Sequence, residues 1–390
     1  MRLADGMTGS AERMAHIQPF HVMALLARAR ELEAAGRSIV HMEIGEPDFV
    51  TPQPVIDAGI AALQQGLTHY TPALGLAALR ERIAVFYRER YQLTVEPERI
   101  VITPGASAAL QLVLSVLVNP GAAVLMADPG YPCNRNFVYL LNGEPRGIPV
   151  DAVTGYQPTV EQVQAHWDSK VTALMLASPS NPTGTLLGEQ DMRGLYNRVQ
   201  GQGGHLIVDE IYHGLTYAGD ARTALTVSDE IFVINSFSKY FGMTGWRLGW
   251  LVAPQASVAD LDKLAQNLFL AAPTPAQHAA LAAFEPDNIA ILEARREEFH
   301  ARRDYLLPAL RNLGFGIPVT PEGAFYLYAD CSHLTADSYR FSQRLLEQAG
   351  VAVTPGIDFG SYRSRQHVRF AYTTSLAHLE EGMRRLKDFL

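Results

Sequence analysis

The stretch VTALMLASPSNPTG, residues 171–184, decides the architecture. Val171 to Ala177 is an apolar run without polar alternation, and it stops at Ser178-Pro179-Ser180-Asn181-Pro182-Thr183-Gly184. A run of this length bounded by turn residues reads as a strand buried on both faces. The turn leaves an amide side chain, Asn181, standing at the strand's carboxyl end.

Moving outward, the same signature recurs. Arg99 to Thr103 runs into Pro104-Gly105-Ala106-Ser107, and Ala122 to Ala127 into Asp128-Pro129-Gly130-Tyr131-Pro132. His205 to Val208 stops at Asp209-Glu210, and Ile231 to Asn235 stops at Ser236-Phe237-Ser238-Lys239. Spacers such as Gly188 to Gln200 have room for crossover helices, which predicts a mostly parallel sheet covered by helices, an α/β architecture. Ligands of such sheets bind beyond the carboxyl ends of the strands. Here those ends carry Ser, Asn, Asp, Tyr and Lys, a concentration expected of an enzyme.

After residue 284 the texture changes. Ile289 to Leu310 is charged and periodic, as a long surface helix should be, and shorter pieces follow at Ala324 to Ala329, Val351 to Val353 and His367 to Tyr372. These predict a smaller α+β domain, which a helix over Val22 to Ala35 is expected to join. The expected division is 1–44 as the N-terminal segment of the small domain, 45–284 as the large domain and 285–390 as the C-terminal small domain.

Composition bounds the function. The 390 residues are 48% hydrophobic and 18% charged, with a formal net charge of −8. That balance supports a large core and lacks the basic footprint of a nucleic-acid binder. The two cysteines, Cys133 and Cys331, are too few for a disulfide framework or a cysteine-rich metal site, so no metal is expected and a cytoplasmic setting is. The N-terminus has no basic region followed by an apolar stretch. The apolar helical run Ala108 to Val118 is too short for a membrane span, which needs roughly 20 residues.

Each chemistry-bearing residue has a plain reading beside a functional one. Lys239 is either a solvated lysine or an amine freed for attack on carbonyls by partial desolvation. Asp209, at the end of a strand, either pairs or caps locally or meets a protonated ring nitrogen. Tyr212 is a core tyrosine or a donor to a phenolate oxygen in the same cavity. Gly105-Ala106-Ser107 is a tight turn or, at the positive end of a helix, a phosphate site, to which Ser236 and Arg247 would add contacts. Asn181 closes a turn or binds ligand oxygens, and Tyr131 can stack on an aromatic ring. Arg369 interrupts an apolar run, so it pairs with a buried acid or awaits a carboxylate. His213 and Cys133 read as packing, and Phe20, Phe325 and Tyr326 read as core rather than pocket.

The order Asn181-Pro182-Thr183-Gly184, Asp209-Glu210-Ile211-Tyr212, Ser236-Phe237-Ser238-Lys239 and Met243-Thr244-Gly245-Trp246-Arg247-Leu248-Gly249 resembles the class I aminotransferases of pyridoxal-phosphate (PLP) fold type I. The resemblance runs from Ile44-Gly45-Glu46-Pro47-Asp48-Phe49 to Val368-Arg369-Phe370. It implies a seven-stranded large-domain sheet and PLP held as a Schiff base on Lys239, which would also shuttle the proton between Cα and C4′. Asp209 would keep the pyridine nitrogen protonated, Tyr212 and Asn181 would bind the ring's 3′ oxygen, and Tyr131 would stack on the ring. The phosphate would rest on the amides of Ala106 and Ser107, Ser236 and Arg247. Arg369 would grip the substrate α-carboxylate with Asn181 and the backbone near Gly45. The resemblance further implies a homodimer with shared active sites, in which His69-Tyr70-Thr71-Pro72 sends Tyr70 to the partner's phosphate. The partners implied are an amino acid and a 2-oxo acid, with a neutral or broad-range donor expected.

Two rivals remain at this stage. A PLP-dependent C–S lyase of the same fold is disfavoured by Asn181-Pro182-Thr183-Gly184, which replaces the longer Asn-Pro-His-Asn-Pro variant of such lyases. A non-catalytic PLP-binding sensor would add a DNA-binding region before the Gly45-Glu46-Pro47 segment, for which about forty residues leave little room. No Gly-x-Gly-x-x-Gly follows a strand, which argues against a dinucleotide enzyme.

Overall fold

The computed structural model describes residues 9–219 and 221–390. In chain order its strands are β1 (Val40–His41), β2 (Ile100–Thr103), β3 (Ala123–Asp128), β4 (Glu144–Pro149), β5 (Val171–Ala177) and β6 (His205–Asp209). There follow β7 (Phe232–Ser236), β8 (Gly249–Val252), β9 (Tyr326–Asp330), β10 (Val351–Ala352), β11 (Thr354–Pro355) and β12 (His367–Ala371).

The main sheet has seven strands in the order β2-β8-β7-β6-β5-β3-β4. Its neighbours are parallel except at β8, which runs antiparallel to both β2 and β7. The unalternated apolar runs arise because the sheet separates two cores. Ile100, Ile102, Leu174, Leu176, Val208 and Trp250 pack on one face. Val101, Met175, Ile207, Ile234 and Leu251, their neighbours along the same strands, pack on the other. Sequence reading found five of these strands. It missed β4, whose EPRGIP sequence carries charges and prolines suited to an unpaired edge, and β8, too short and glycine-led to stand out.

The helices arrive where periodicity placed them: His21–Ala34, Ala106–Leu117, Glu189–Gln200 and the long Pro286–Asn312. Beyond the last of these, β11, β12 and β9 form a three-stranded antiparallel sheet, with Thr354 opposite Arg369 and Arg369 opposite Tyr328. The expected strand at Val351 to Val353 is β10, one residue shorter, and β11 follows it unanticipated. β10 pairs in parallel with β1, so the early segment Val40–His41 docks beside Val351–Ala352. Ala371 N–H also donates to the Met42 carbonyl at 2.7 Å, which ties the N-terminal strand to the last one.

The reversed β8 places the site. Because it runs backwards, its first residue, Gly249, lies opposite both Thr103 and Ser236, the last residues of β2 and β7. The segment just before it, with Arg247, therefore reaches the same sheet edge as Asp209 and Ser236. A Cβ at Gly249 would lie 2.8 Å from Ala106 N and 2.9 Å from the Asn235 carbonyl, so only glycine lets the helix at Ala106 begin this close.

Candidate active site

A cavity of about 280 Å³ opens at this edge. Of the residues the sequence singled out, Gly45, Ala106, Ser107, Tyr131, Asn181 and Asp209 line it, and so do Tyr212, Ser236, Lys239, Arg247 and Arg369. They come from segments more than 300 residues apart, and the fold brings them to one place.

Lys239 is intermediate in exposure, and its ammonium donates to the Gly45 carbonyl at 2.8 Å. Burial pushes it down to about 8; Glu46 and Asp209 oppose the shift, while the positive charges of Arg369 and Arg247 add to it. Asp209 is buried, and its carboxylate accepts from Ile211 N–H at 3.1 Å. Burial raises it to about 7, with the Ile211 bond and the Lys239 charge acting against the rise. The residues directly after β6 form a turn and not a helix, so Asp209 is no helix cap. It is a desolvated acid with no cation in direct contact among the described residues.

The anion end is built on backbone. The helix Ala106–Leu117 starts after Gly105, which offers no side-chain cap, so its first N–H groups have no partner within the helix. Arg247 sits in the left-handed region at φ 53° and donates to the Thr244 carbonyl at 2.9 Å. A Cβ on Gly105 would stand 2.6 Å from Arg247 Nη2, so the guanidinium lies directly against this turn. Ser236 Oγ accepts from Ser238 N–H at 3.0 Å, fixing its hydroxyl at the cavity wall.

The opposite end belongs to the three-stranded sheet. Arg369, 6% exposed, donates through Nη1 to Asn181 Oδ1 at 3.0 Å. Its Nη2 reaches the Glu43 carbonyl at 2.5 Å and Thr354 Oγ1 at 3.2 Å, and its Nε is buried without a partner. The guanidinium lies over the rings of Tyr326 at 4.3 Å and Phe359 at 4.9 Å. It meets no buried acid, the first of the two alternatives for it. Tyr212 Oη and Tyr326 Oη are hydrogen-bonded at 2.9 Å, so one tyrosine links both ends of the cavity.

Sequence reasoning missed Thr354, Phe359 and Glu43, and it assigned Phe20 and Tyr326 to the core. Phe20 is part-exposed and lines the cavity, as does Tyr326, whereas Phe325 is core as expected. Tyr326 carried no usable signal, because a tyrosine on a buried strand faces core or cavity according to register alone. Tyr70 is not brought in: it is 82% exposed and absent from the cavity wall. Gly105 stands just behind the wall, against Arg247. His213 is buried between Tyr91 Oη at 3.0 Å and the Glu210 carboxylate at 3.4 Å, pushed down to about 3 chiefly by burial, which suits packing rather than base catalysis. Cys133 is part-buried, its thiol pushed up by burial.

Residues 37–386 match the sequence model of aminotransferase class I and II. The chain belongs to that family. It is 38% identical to valine–pyruvate aminotransferase of Mycobacterium tuberculosis, over 98% of this chain and 99% of that one. It is 36% identical to (5-formylfuran-3-yl)methyl phosphate transaminase of Methanocaldococcus jannaschii, over 97% and 99%. The crystal structure of an aminotransferase from Mycobacterium tuberculosis superposes with a TM-score of 0.94, at 38% identity and 98% coverage of both chains.

The protein is thus a PLP-dependent aminotransferase, moving amino groups between amino acids and 2-oxo acids. The cavity of this aminotransferase fits the cofactor on its own evidence. The isolated buried Asp209 suits a protonated ring nitrogen, and the uncapped helix start with Arg247 suits a phosphate. No helix among the described residues is long and apolar enough to cross a membrane.

Proposed function

We propose that Lys239, Asp209 and Arg369 perform amino transfer on a neutral, apolar amino acid. The observation that carries this reading is their convergence on one cavity, each with an unmet electrostatic requirement. Bound PLP supplies an aldehyde that takes up amino groups and a ring that accepts the electron pair released at Cα. Burial lowers Lys239 to about 8, so its Nζ sheds a proton far more readily than an exposed lysine and would be suited to take the substrate Cα proton and return it. Asp209 would balance a positive charge on the ring nitrogen. Tyr212 and Asn181 would bind the ring's 3′ oxygen, Tyr131 would serve the ring face, and Ala106, Ser107, Ser236 and Arg247 would hold the phosphate. Arg369 clamps the α-carboxylate, with Asn181 and the Gly45 backbone beside it.

Substrate class follows from the remaining surface. Lys239, Arg247 and Arg369 are the cations lining the cavity among the described residues, and the three tasks above occupy all of them. Beside the remaining polar residues Glu43, Asp358 and Thr354, of which Asp358 is bonded to the His21 and Val22 N–H groups and Glu43 to His41, the wall offers Phe20, Val22, Ile44 and Phe359, which suits an apolar group. The relative that acts on valine supports the same choice.

Assembly belongs to this reading. Ile60, Leu63, Leu67 and Tyr70 are exposed large side chains on one segment, and a second copy covering them would take Tyr70 to its own phosphate site. The pairing of β1 with β10 supports a small domain of 1–44 with 285–390 beside a large domain of 45–284. The free Cys133 and Cys331 suit a cytoplasmic protein.

The test is spectroscopic. Wild-type holoenzyme should absorb near roughly 360–430 nm and shift to about 330 nm with valine or phenylalanine, faster than with aspartate, as cofactor amination requires. Lys239→Ala should lose that conversion. Release of pyruvate and ammonia from a cysteine conjugate without any oxo acid would instead mark a lyase.

A further inference from the structure

A second cavity, of about 440 Å³, lies beside the active site and shares no lining residue with it. Its walls come from the turn after β4, residues 150–156, and from Gly316–Pro318, β9, Arg363 and His367. Three features separate it from a packing void. The hydroxyl of Tyr328, a residue only 3% exposed, is buried with no hydrogen-bond partner among the described residues, which asks for an explanation. Two carboxylates stand at the wall with one oxygen each underused. Asp151 Oδ1 takes Val153 N–H at 2.9 Å, while its Oδ2 meets Tyr362 Oη only at 3.5 Å. Asp330 Oδ1 takes Ser332 N–H at 2.7 Å, while its Oδ2 meets Arg363 only at 3.7 Å.

The charge decides what fits. Asp151 and Asp330 face one guanidinium, Arg363, whose Nε is already given to Gln366 at 2.8 Å. His367 is held towards its neutral form by burial. The site is therefore net negative, and Tyr156, Tyr328 and Tyr362 give it aromatic faces, while Ile317, Val150 and Pro129 give it apolar ones. Carboxylate oxygens and ring faces together recognise an ammonium group on an apolar body. We propose that this cavity is a binding site for a small organic ammonium compound, distinct from the amino-transfer site.

The wall connects to the active site through one sheet face. Tyr326, Tyr328 and Asp330 alternate along β9, as do His367 and Arg369 along β12. Tyr328 stacks on His367 at 4.6 Å and meets Phe359 edge-on at 6.0 Å, and Phe359 lies under Arg369. A ligand against Tyr328 thus touches the residue paired opposite the carboxylate clamp.

The experiment is calorimetric titration of the holoenzyme with N,N-dimethyltyramine, whose tertiary nitrogen keeps one N–H donor and cannot condense with a carbonyl. Saturable binding of one molecule per chain is expected, with 3-(4-hydroxyphenyl)propionate failing to bind this site. Asp330→Asn and Asp151→Asn should each weaken the amine about tenfold, since each removes a charged acceptor. Tyr328→Phe, which keeps the ring, should weaken it by a smaller factor. All three variants should retain the cofactor absorbance of the wild type, which reports that they fold. Absence of saturable binding to the wild type overturns the proposal, and so does binding that survives the Asp330→Asn, Asp151→Asn double variant unchanged.

Discussion

The two ends of the active site are built in different ways. The end proposed to hold the cofactor is set by strand termini and a helix start on the seven-stranded sheet, each group placed by its own local turn. The end proposed for the substrate is set by the three-stranded sheet, with Arg369 in mid-strand and Tyr326 and Thr354 at strand starts, and Arg369 is held there by Asn181 and the Glu43 carbonyl, 188 and 326 residues away in sequence. Charge at the first end is left uncompensated, and at the second it is oriented by neutral oxygens and rings. Catalytic power should therefore fall steeply when the first end is changed, and substrate affinity when the second is.

The largest effect expected is Lys239→Ala, which should cut turnover by at least about 10³-fold, because it removes the residue proposed as both nucleophile and proton carrier. Steady-state assay with any donor checks it. Asp209→Asn should follow, with turnover down about 10²-fold through loss of a desolvated countercharge. It has a second signature in the cofactor-free protein. An acid raised to about 7 by folding binds more protons folded than unfolded between about pH 4 and 7, so stability falls as pH rises through that window. Glu210, raised by burial to about 8, slopes the same way, so the comparison is wild type against Asp209→Asn, which should flatten the curve. An unchanged melting profile would sink the account of Asp209 as an unpaired acid.

Arg369→Lys tests the other end. The loss of the planar fork should raise KM for the donor about tenfold or more while leaving the cofactor spectrum intact. Tyr326→Phe removes the bond to Tyr212 and should lower kcat/KM about fivefold, touching both ends at once. Thr354→Val is the smallest: one hydrogen bond to Arg369 is lost, for about a threefold rise in KM. Equal effects on kcat and KM in the Arg369 and Thr354 variants would erase the distinction between the ends.

This difference also explains what the sequence made legible. Asp209, Lys239 and Gly105 follow directly from apolar runs that end in turns, so local pattern exposes them. Arg369 stood out because a charge on a buried strand is rare. Thr354, Phe359 and Tyr326 have no such mark: their positions depend on the pairing of β11, β12 and β9, which no local window contains. β8 escaped for a related reason, being four residues whose direction is set by its neighbours. The second cavity was illegible throughout, since its walls join the segments near 150, 317, 328 and 365.

The bond from Arg369 to the Glu43 carbonyl has a consequence for how the protein is made. A ribosome releases the chain from its N-terminus, so every strand of the main sheet has emerged once Val252 is out. The Arg369 bond to Glu43 closes only after β12 has emerged and found the segment near Glu43, one of the longest-range contacts in the chain. On the roles proposed above, a nascent chain can assemble its cofactor cradle before the carboxylate site is closed, and amino transfer then begins only when synthesis is nearly complete.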